Sequence, residues 1–551
     1  MAKAALLVVD LEGVAGVESP AAMLFGTPEY ERARRLLTDE VNAAVEGLLA
    51  AGFTHVRVSD SHLSGSGAAN VLEDELHQAA SLHFLGDWYA ESLFEGVAAV
   101  ACLGMHAPAG GAGFAAHTVN LSSRWSVGDR LVSESDLVLD LAAQQGVPLV
   151  FISGDDALEA HLGPRVPFVR TKQARSAVRA KSSSAPEVHA LLRAAAQRPP
   201  VKAPALPEGP LRLDFHLAAA AQAASRRGAS RTSPTSVEVK GGSPRQRYSK
   251  ALAAGHAADP FLLLAVGGEP GSPWMVEDAE ALLCLPWRAR VPPGLKESAD
   301  RALTAFLALT ADDSDASRAL RALALHMLEG CAPDFFDRRG LGPALGDALA
   351  AAASVSMGLG HVFDPELLQA RIDVWYLRRL RGLPQEGPAP TTVAQVLHRL
   401  NDGDSAIYAW LLGELAAKCG VDARLPFEER PWRGQSRLLD LYCLTHLVLL
   451  DTDYFARPLG SPQAPEWLAG LLAGAPGVAE RDEVDLAGEL LFCLAFASEV
   501  HAAAIDALVA VVQGALTSEG VRDPQTGQPD AHATASALLG LAAVLDARRP
   551  R

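Results

Sequence analysis

The sequence lacks several things that would narrow its class. No uninterrupted apolar run approaches the ~20 residues needed to cross a bilayer, so a membrane span is not expected. The first apolar run is stopped by Asp10 and is too short for a signal peptide. Cys102, Cys284, Cys331, Cys419, Cys443 and Cys493 stand singly, with no CxxC pair. A disulfide frame or thiolate zinc site is therefore not expected, and reduced thiols in a cytoplasmic protein are. Basic residues are in deficit: the net charge is −17, which argues against nucleic acid or an anionic membrane as the main partner. There is no HExxH. What remains is an ordinary globular balance, 49% hydrophobic and 21% charged, over 551 residues. That length is too great for one core and predicts at least two domains.

The first half alternates strands and helices. AALLVVD, Thr54–Asp60, Gly96–Gly104 and Val147–Gly154 read as strands; Tyr30–Gly52 and LVLDLAAQQG read as helices. This rhythm predicts an α/β domain over residues 1–266 with a mostly parallel sheet. From about Pro199 the chain is rich in Pro, Ser, Arg and Ala, with strands expected at LRLDFHL and TSVEVKG; a helix and FLLLAV finish the domain. GGEPGSP, within 267–274, reads as a linker. Over 275–551 alternation stops, and long apolar-periodic runs such as ASRALRALALHMLEG and RLLDLYCLTHLVLL predict an all-α domain, an α/α toroid or helical repeat.

Ionisable residues collect at the predicted strand ends. The first strand runs into Asp10 and Glu12, with Gly13 behind them. Residues i and i+2 of a strand point the same way, so these two like charges aim at one spot and need a cation, a shared proton or water. VSDSH places His62 just past the second strand, and CLGMHA places His106 just past the third. His117 follows eleven residues on, and Glu134 lies in VGDRLVSES. In a parallel sheet such ends converge, and ligands gather at the carboxyl ends of strands. A mixed imidazole and carboxylate set suits Zn²⁺ or Mn²⁺ better than Ca²⁺ or Mg²⁺.

The blocks VVDLEGVAGV, VRVSDSH, NVLEDELH, GMHAPAGGAGFAAHT and SGDDA, in this order over about residues 4–265, resemble the DppA-type D-aminopeptidases, peptidase family M55. The resemblance implies two zinc ions per chain. Asp10 would bridge them; Glu12, His62, His106 and Glu134 would be the other ligands, and His117 the catalytic histidine. It also implies a peptide substrate with a D-residue at its amino terminus, and assembly of identical chains into a ring. Ser133, Met105 and Ala116 depart from the family's usual residues without removing a ligand. Lys172 matches a family lysine near the site, and Asp155 and Asp156 match its G-D-D, read as structural or supporting. The competing function is a scaffold of a peptide-processing pathway that keeps the fold without turnover; a third reading is an amidase acting on modified peptides.

The helical half carries no comparable motif. His446, Asp451, Asp453, His501 and His532 are its candidate metal residues, with packing or capping the expected role of His446 and His532. Trp375, Trp410 and Trp432 are expected in the core. A groove between helix pairs is a candidate binding place for a peptide or protein partner.

Overall fold

The computed structural model describes residues 3–62, 69–83, 91–121, 123–258, 275–284, 287, 293–355, 365–383, 387–400, 406–425, 436–499 and 503–548. The chain divides into two compact units, residues 1–287 and 288–551. FLLLAV, the linker at 267–274, Trp432 and His501 lie outside the described residues.

The first unit is built on a seven-stranded sheet in the order β3-β2-β1-β4-β7-β8-β9. Its members are β1 (Ala4–Val9), β2 (His55–Asp60), β3 (Ala80–His83), β4 (Val97–Met105), β7 (Leu149–Asp155), β8 (Phe168–Ser176) and β9 (Arg179–Ser182). Neighbours from β3 to β8 run parallel, and β8–β9 close the edge as an antiparallel hairpin. The expected α/β architecture with a mostly parallel sheet is the one found.

Strand β1 reads as a continuous apolar run because both its faces are covered. Ala5, Leu7 and Val9 join one core with Leu37, Val41 and Leu48 of α1 (Pro28–Ala50) and Val188 and Leu192 of α5 (Ala185–Ala196). The alternate residues Leu6 and Val8 are equally inaccessible to solvent. Helix α1 begins where Thr27 accepts a hydrogen bond from the Tyr30 amide, with Pro28 in the first turn beside Glu29 and Glu31. It stops at Gly52, whose φ of 89° only glycine adopts freely.

A second, antiparallel sheet has the order β11-β12-β10-β5-β6. It comprises β5 (Ser123–Val127), β6 (Arg130–Leu131), β10 (Leu211–Phe215), β11 (Ser230–Ser233) and β12 (Ser236–Val239), with Trp125 fully buried. The sequence foresees β10 and β12 but not β5, which is short and polar on its open face. The helix expected at LVLDLAAQQG is α3 and starts earlier, at Glu134 (Glu134–Gln144). Ser133 and Asp136 form a reciprocal capping box there, which fixes the start three residues before the apolar run.

In the second unit six helices pack in a closed ring: Asp315–Cys331, Pro365–Leu380, Ala406–Lys418, Arg437–Asp451, Val484–Phe496 and Ala531–Ala547, the last returning to the first. Leu295–Leu309, Gly342–Ala351, Pro390–Leu400, Ala464–Glu480 and Ala503–Ala515 pack against them. This is the helix pairing of an α/α toroid. A two-residue ladder, Val521–Arg522 with Pro529–Asp530, interrupts the helical order. Trp375 is buried and Trp410 half-buried. Among the described residues no helix is long and apolar enough to cross a membrane, and Cys102, Cys331, Cys419 and Cys493 are in no disulfide.

Candidate metal centre

Strand β1 lies between β2 and β4, so three parallel strands end side by side. Beyond those ends sit Asp10 and Glu12 from β1, His62 from β2 and His106 from β4, all buried. The approach of the β1 and β4 ends needs glycine. A Cβ on Gly13 would lie 2.2 Å from the Met105 carbonyl oxygen, and one on Gly104 would lie 2.1 Å from that of Asp10. That is why a glycine stands directly behind the two acids.

Asp10 divides its carboxylate between two groups. Its Oδ1 is 3.3 Å from Nδ1 of His62, which is also 3.1 Å from Oε2 of Glu12. Its Oδ2 is 3.3 Å from Nε2 of His106, which lies 3.5 Å from Oε1 of Glu134. His117 stacks on His106, with ring centroids 4.0 Å apart, and points Nε2 at Glu134 Oε1 from 3.9 Å. Two clusters result, Asp10–Glu12–His62 and His106–His117–Glu134, each with donor atoms within 4.8 Å of one another.

Each histidine is oriented by a backbone carbonyl. Nε2 of His62 meets the Met23 oxygen at 2.9 Å, Nδ1 of His106 that of Ala107 at 3.0 Å, and Nδ1 of His117 that of Ala115 at 2.8 Å. A carbonyl only accepts, so those nitrogens carry the protons. The opposite nitrogen of each ring faces the carboxylates, the arrangement metal-binding histidines adopt. Buried Nε2 of His106 has no hydrogen-bond partner, an orphan that a cation would satisfy. Two donors on one tetrahedral zinc at about 2.0–2.1 Å lie about 3.3–3.4 Å apart, and the separations of 3.1–3.5 Å across the centre match this. The donor set therefore fits zinc.

Electrostatics agree. Burial opposes ionisation of Asp10, but His106 and His62 outweigh it and hold the carboxyl well below its usual range. Burial would lower His62 and His106; Glu12 and Asp10 around the first, and Asp10 and Glu134 around the second, hold both well above the ordinary imidazole value. Without metal, protons sit between acid and imidazole, where cations would compete for the same lone pairs. His117 differs. Burial and the neighbouring His106 charge push it below its ordinary value, leaving a neutral base at the rim.

The family described as D-aminopeptidase, peptidase M55, matches residues 4–252. Those residues belong to the M55 family. The D-aminopeptidase of Bacillus subtilis (strain 168) is 34% identical over 184 residues, 32% of this chain and 66% of that protein's length. A solved structure described as a Zn-dependent D-aminopeptidase DppA from Bacillus subtilis, a self-compartmentalizing protease, is 26% identical. It covers 46% of this chain and 97% of that one, with a TM-score of 0.43.

Supporting residues of the M55 domain explain why the ligands stay in place. Asp60 accepts from the amides of Asn70 at 2.6 Å and Val71 at 3.1 Å, while the Asn70 side chain donates to the His62 carbonyl at 2.7 Å. Tyr30 donates to Asn70 in turn. Glu134 Oε1 accepts from the Val119 amide at 2.8 Å, and Val119 holds φ at 68°, unusual for a β-branched residue. Asp155 caps α4 (Asp156–Leu162) through the Leu158 amide and accepts from the Phe114 amide, bracing the loop that carries His117. Asp156 accepts from the Ala174 amide. Lys172 is buried; its Nζ donates to the carbonyls of Glu12, at 2.6 Å, and Val17, from beneath the ligand loop. Sequence reasoning placed Lys172 near the site but not this tether, which joins positions 160 residues apart.

Proposed function

We propose that the M55 domain is a binuclear zinc aminopeptidase that removes an amino-terminal D-residue from peptides. The peptidase assignment follows the family. The finer reading rests on one observation: the two oxygens of Asp10 face two separate ligand clusters. Asp10 would bridge, Glu12 and His62 would complete one zinc site, and His106 and Glu134 the other. When bound, the zinc pair supplies Lewis-acid polarisation of the scissile carbonyl and a nucleophile at neutral pH.

The rest is done by side chains of this chain. Asp10, Glu12 and Glu134 would offset most of the positive charge of the zinc pair. His117, neutral and at the rim, takes a proton at Nε2 and returns it to the leaving amine. Its Nδ1–H bond to the Ala115 carbonyl keeps Nε2 as the reactive nitrogen. The preference for a D-residue comes from the family alone. No ligand position is lost, which favours turnover over the scaffold reading.

By analogy with the self-compartmentalizing neighbour, the chain is proposed to assemble with copies of itself. The isolated spacing of the cysteines, with no CxxC pair, supports a cytoplasmic location. The deciding experiment digests a library of short peptides, differing in stereochemistry at the first residue, with zinc-loaded full-length protein. Release of the first residue, faster from D- than from L-peptides, is expected. No release from any peptide by folded, zinc-replete protein contradicts the proposal.

A further inference from the structure

The helical unit carries a second, separate set of ligand-type side chains. Helix Val484–Phe496 is buried along most of its length, yet it carries Asp485 and Glu489, four residues apart and so on one face. His532, in the first turn of Ala531–Ala547, brings Nε2 to 3.6 Å from Oδ1 of Asp485. One donor atom from each of the three lies within 4.8 Å of the others.

The acids of the ring are held by cations or by neutral donors. Asp453 is paired with Lys418 and Arg457. Asp451 accepts from the amides of Gly460 and Ser461. Asp373 takes the hydroxyl of Tyr454 and the amide of Gln369. Asp485 and Glu489 have no Lys or Arg within ion-pair distance among the described residues; their charged neighbours are His532 and His446. Instead, two hydroxyls from helix Arg437–Asp451 fix their outer oxygens. Tyr442 donates to Asp485 Oδ2 at 3.0 Å, and Thr445 donates to Glu489 Oε2 at 2.5 Å. The remaining oxygen of Asp485, Oδ1, is buried, has no hydrogen-bond partner, and is the atom that faces His532. A buried Glu489 beside a half-buried Asp485, both oriented by neutral donors and with one buried acceptor oxygen left over, is an arrangement that a cation would relieve.

We infer that Asp485, Glu489 and His532 bind a divalent transition-metal ion in the helical unit, with Tyr442 and Thr445 orienting the carboxylates. One imidazole and two carboxylates suit Zn²⁺ or Mn²⁺ rather than Ca²⁺ or Mg²⁺. Glu489 forms the buried wall and His532, whose side chain is 64% exposed, the open one. Three protein donors leave positions for water or an incoming ligand. Of the residues singled out in the sequence, His532 takes part and His446 stands beside Glu489 at 4.0 Å, whereas Asp451 and Asp453 serve other partners. Asp485 and Glu489 were missed, although their DxxxE spacing on an apolar helix was the available signal.

The test is independent of the M55 site. Full-length protein carrying Asp10→Asn and Glu12→Gln, which weaken the first centre, is titrated with Zn²⁺ and separately with Mn²⁺ by calorimetry. One ion per chain is expected. Adding His532→Ala, at an exposed position that folding tolerates, should weaken that ion at least about tenfold, and adding Asp485→Asn with Glu489→Gln should abolish it. Circular dichroism melts report whether each chain is folded, and His532→Ala decides alone if the double carboxylate variant is not. Neither metal binding, or binding unchanged by His532→Ala, would overturn the inference.

Discussion

Replacing Lys172 with methionine removes a buried ammonium group and keeps the length of the side chain. In the native chain Nζ donates to the carbonyls of Glu12 and Val17, lies over the Phe114 ring at 5.2 Å, and sits near buried Glu40. The substitution leaves two buried acceptors unsatisfied, at about 1–3 kcal/mol each. Relief of the buried amine's own desolvation offsets part of this, so a net loss of about 3 kcal/mol is expected at pH 9. For a domain of this size that corresponds to about 6–12 °C in Tm. The effect should depend on pH in a defined direction. Burial pushes the Lys172 ammonium down to about 7. Between there and its unfolded value of about 10.4, the unfolded chain binds more protons than the folded one. Lys172 therefore adds stability as pH rises through that window, and the variant lacks this gain. Urea unfolding of zinc-stripped wild type and Lys172→Met at pH 6 and pH 9 measures both quantities, and the deficit should be larger at pH 9. Zinc affinity should also fall, because the Glu12 backbone loses its tether. A variant within about 0.5 kcal/mol of wild type at pH 9, with unchanged zinc affinity, would refute the reasoning.

His117→Ala should reduce peptide cleavage at least about a hundredfold while metal content by mass spectrometry stays at the wild-type value; parallel loss of metal would make His117 a ligand instead. Gly13→Ala places a Cβ 2.2 Å from the Met105 carbonyl oxygen, so about 2–3 kcal/mol of destabilisation and weaker zinc binding should appear together in a thermal melt and a zinc titration. Zinc affinity should rise with pH, because His62 and His106 are held protonated well above the ordinary imidazole value by their carboxylate neighbours and must release those protons on binding. Calorimetry in buffers of different ionisation enthalpy reads the released protons directly, and no release near pH 7 would contradict the assignment.

Much of the candidate site is legible in the sequence because parallel strands bring their carboxyl ends together whatever lies between them. Asp10, Glu12, His62 and His106 each follow a strand with a clear apolar run or alternation, so their convergence can be argued before any coordinate is known. Glu134 and His117 are less legible from pattern. Glu134 opens a helix whose start is set by the polar pair Ser133 and Asp136, and His117 lies in a loop held by the Asp155 cap and the strained Val119. Both positions were collected with the other ionisable residues near the strand ends, and their roles came from the family resemblance. Strands β5, β8 and β9 escaped attention because they are polar and near sheet edges, where alternation is weak. The tether from Lys172 to Glu12 joins residues far apart in the chain, and no local pattern encodes it. In the helical unit the all-α class and the pairing of helices were legible from the long apolar-periodic runs. Asp485 and Glu489 were not, since two acids on a helix read as a solvated face until their burial is known.

The central claim is that one carboxylate serves two metals, and metal stoichiometry of Asp10→Asn tests it most directly. A parent protein and the variant are loaded with zinc, desalted and analysed by mass spectrometry for zinc per folded chain, both carrying His532→Ala, which weakens the second site, and the zinc of that parent is the reference. Two ions are expected in the parent and loss of both in Asp10→Asn, because Oδ1 and Oδ2 face different ligand clusters. A parent that holds one ion, or an Asp10→Asn variant that keeps two, would contradict the account.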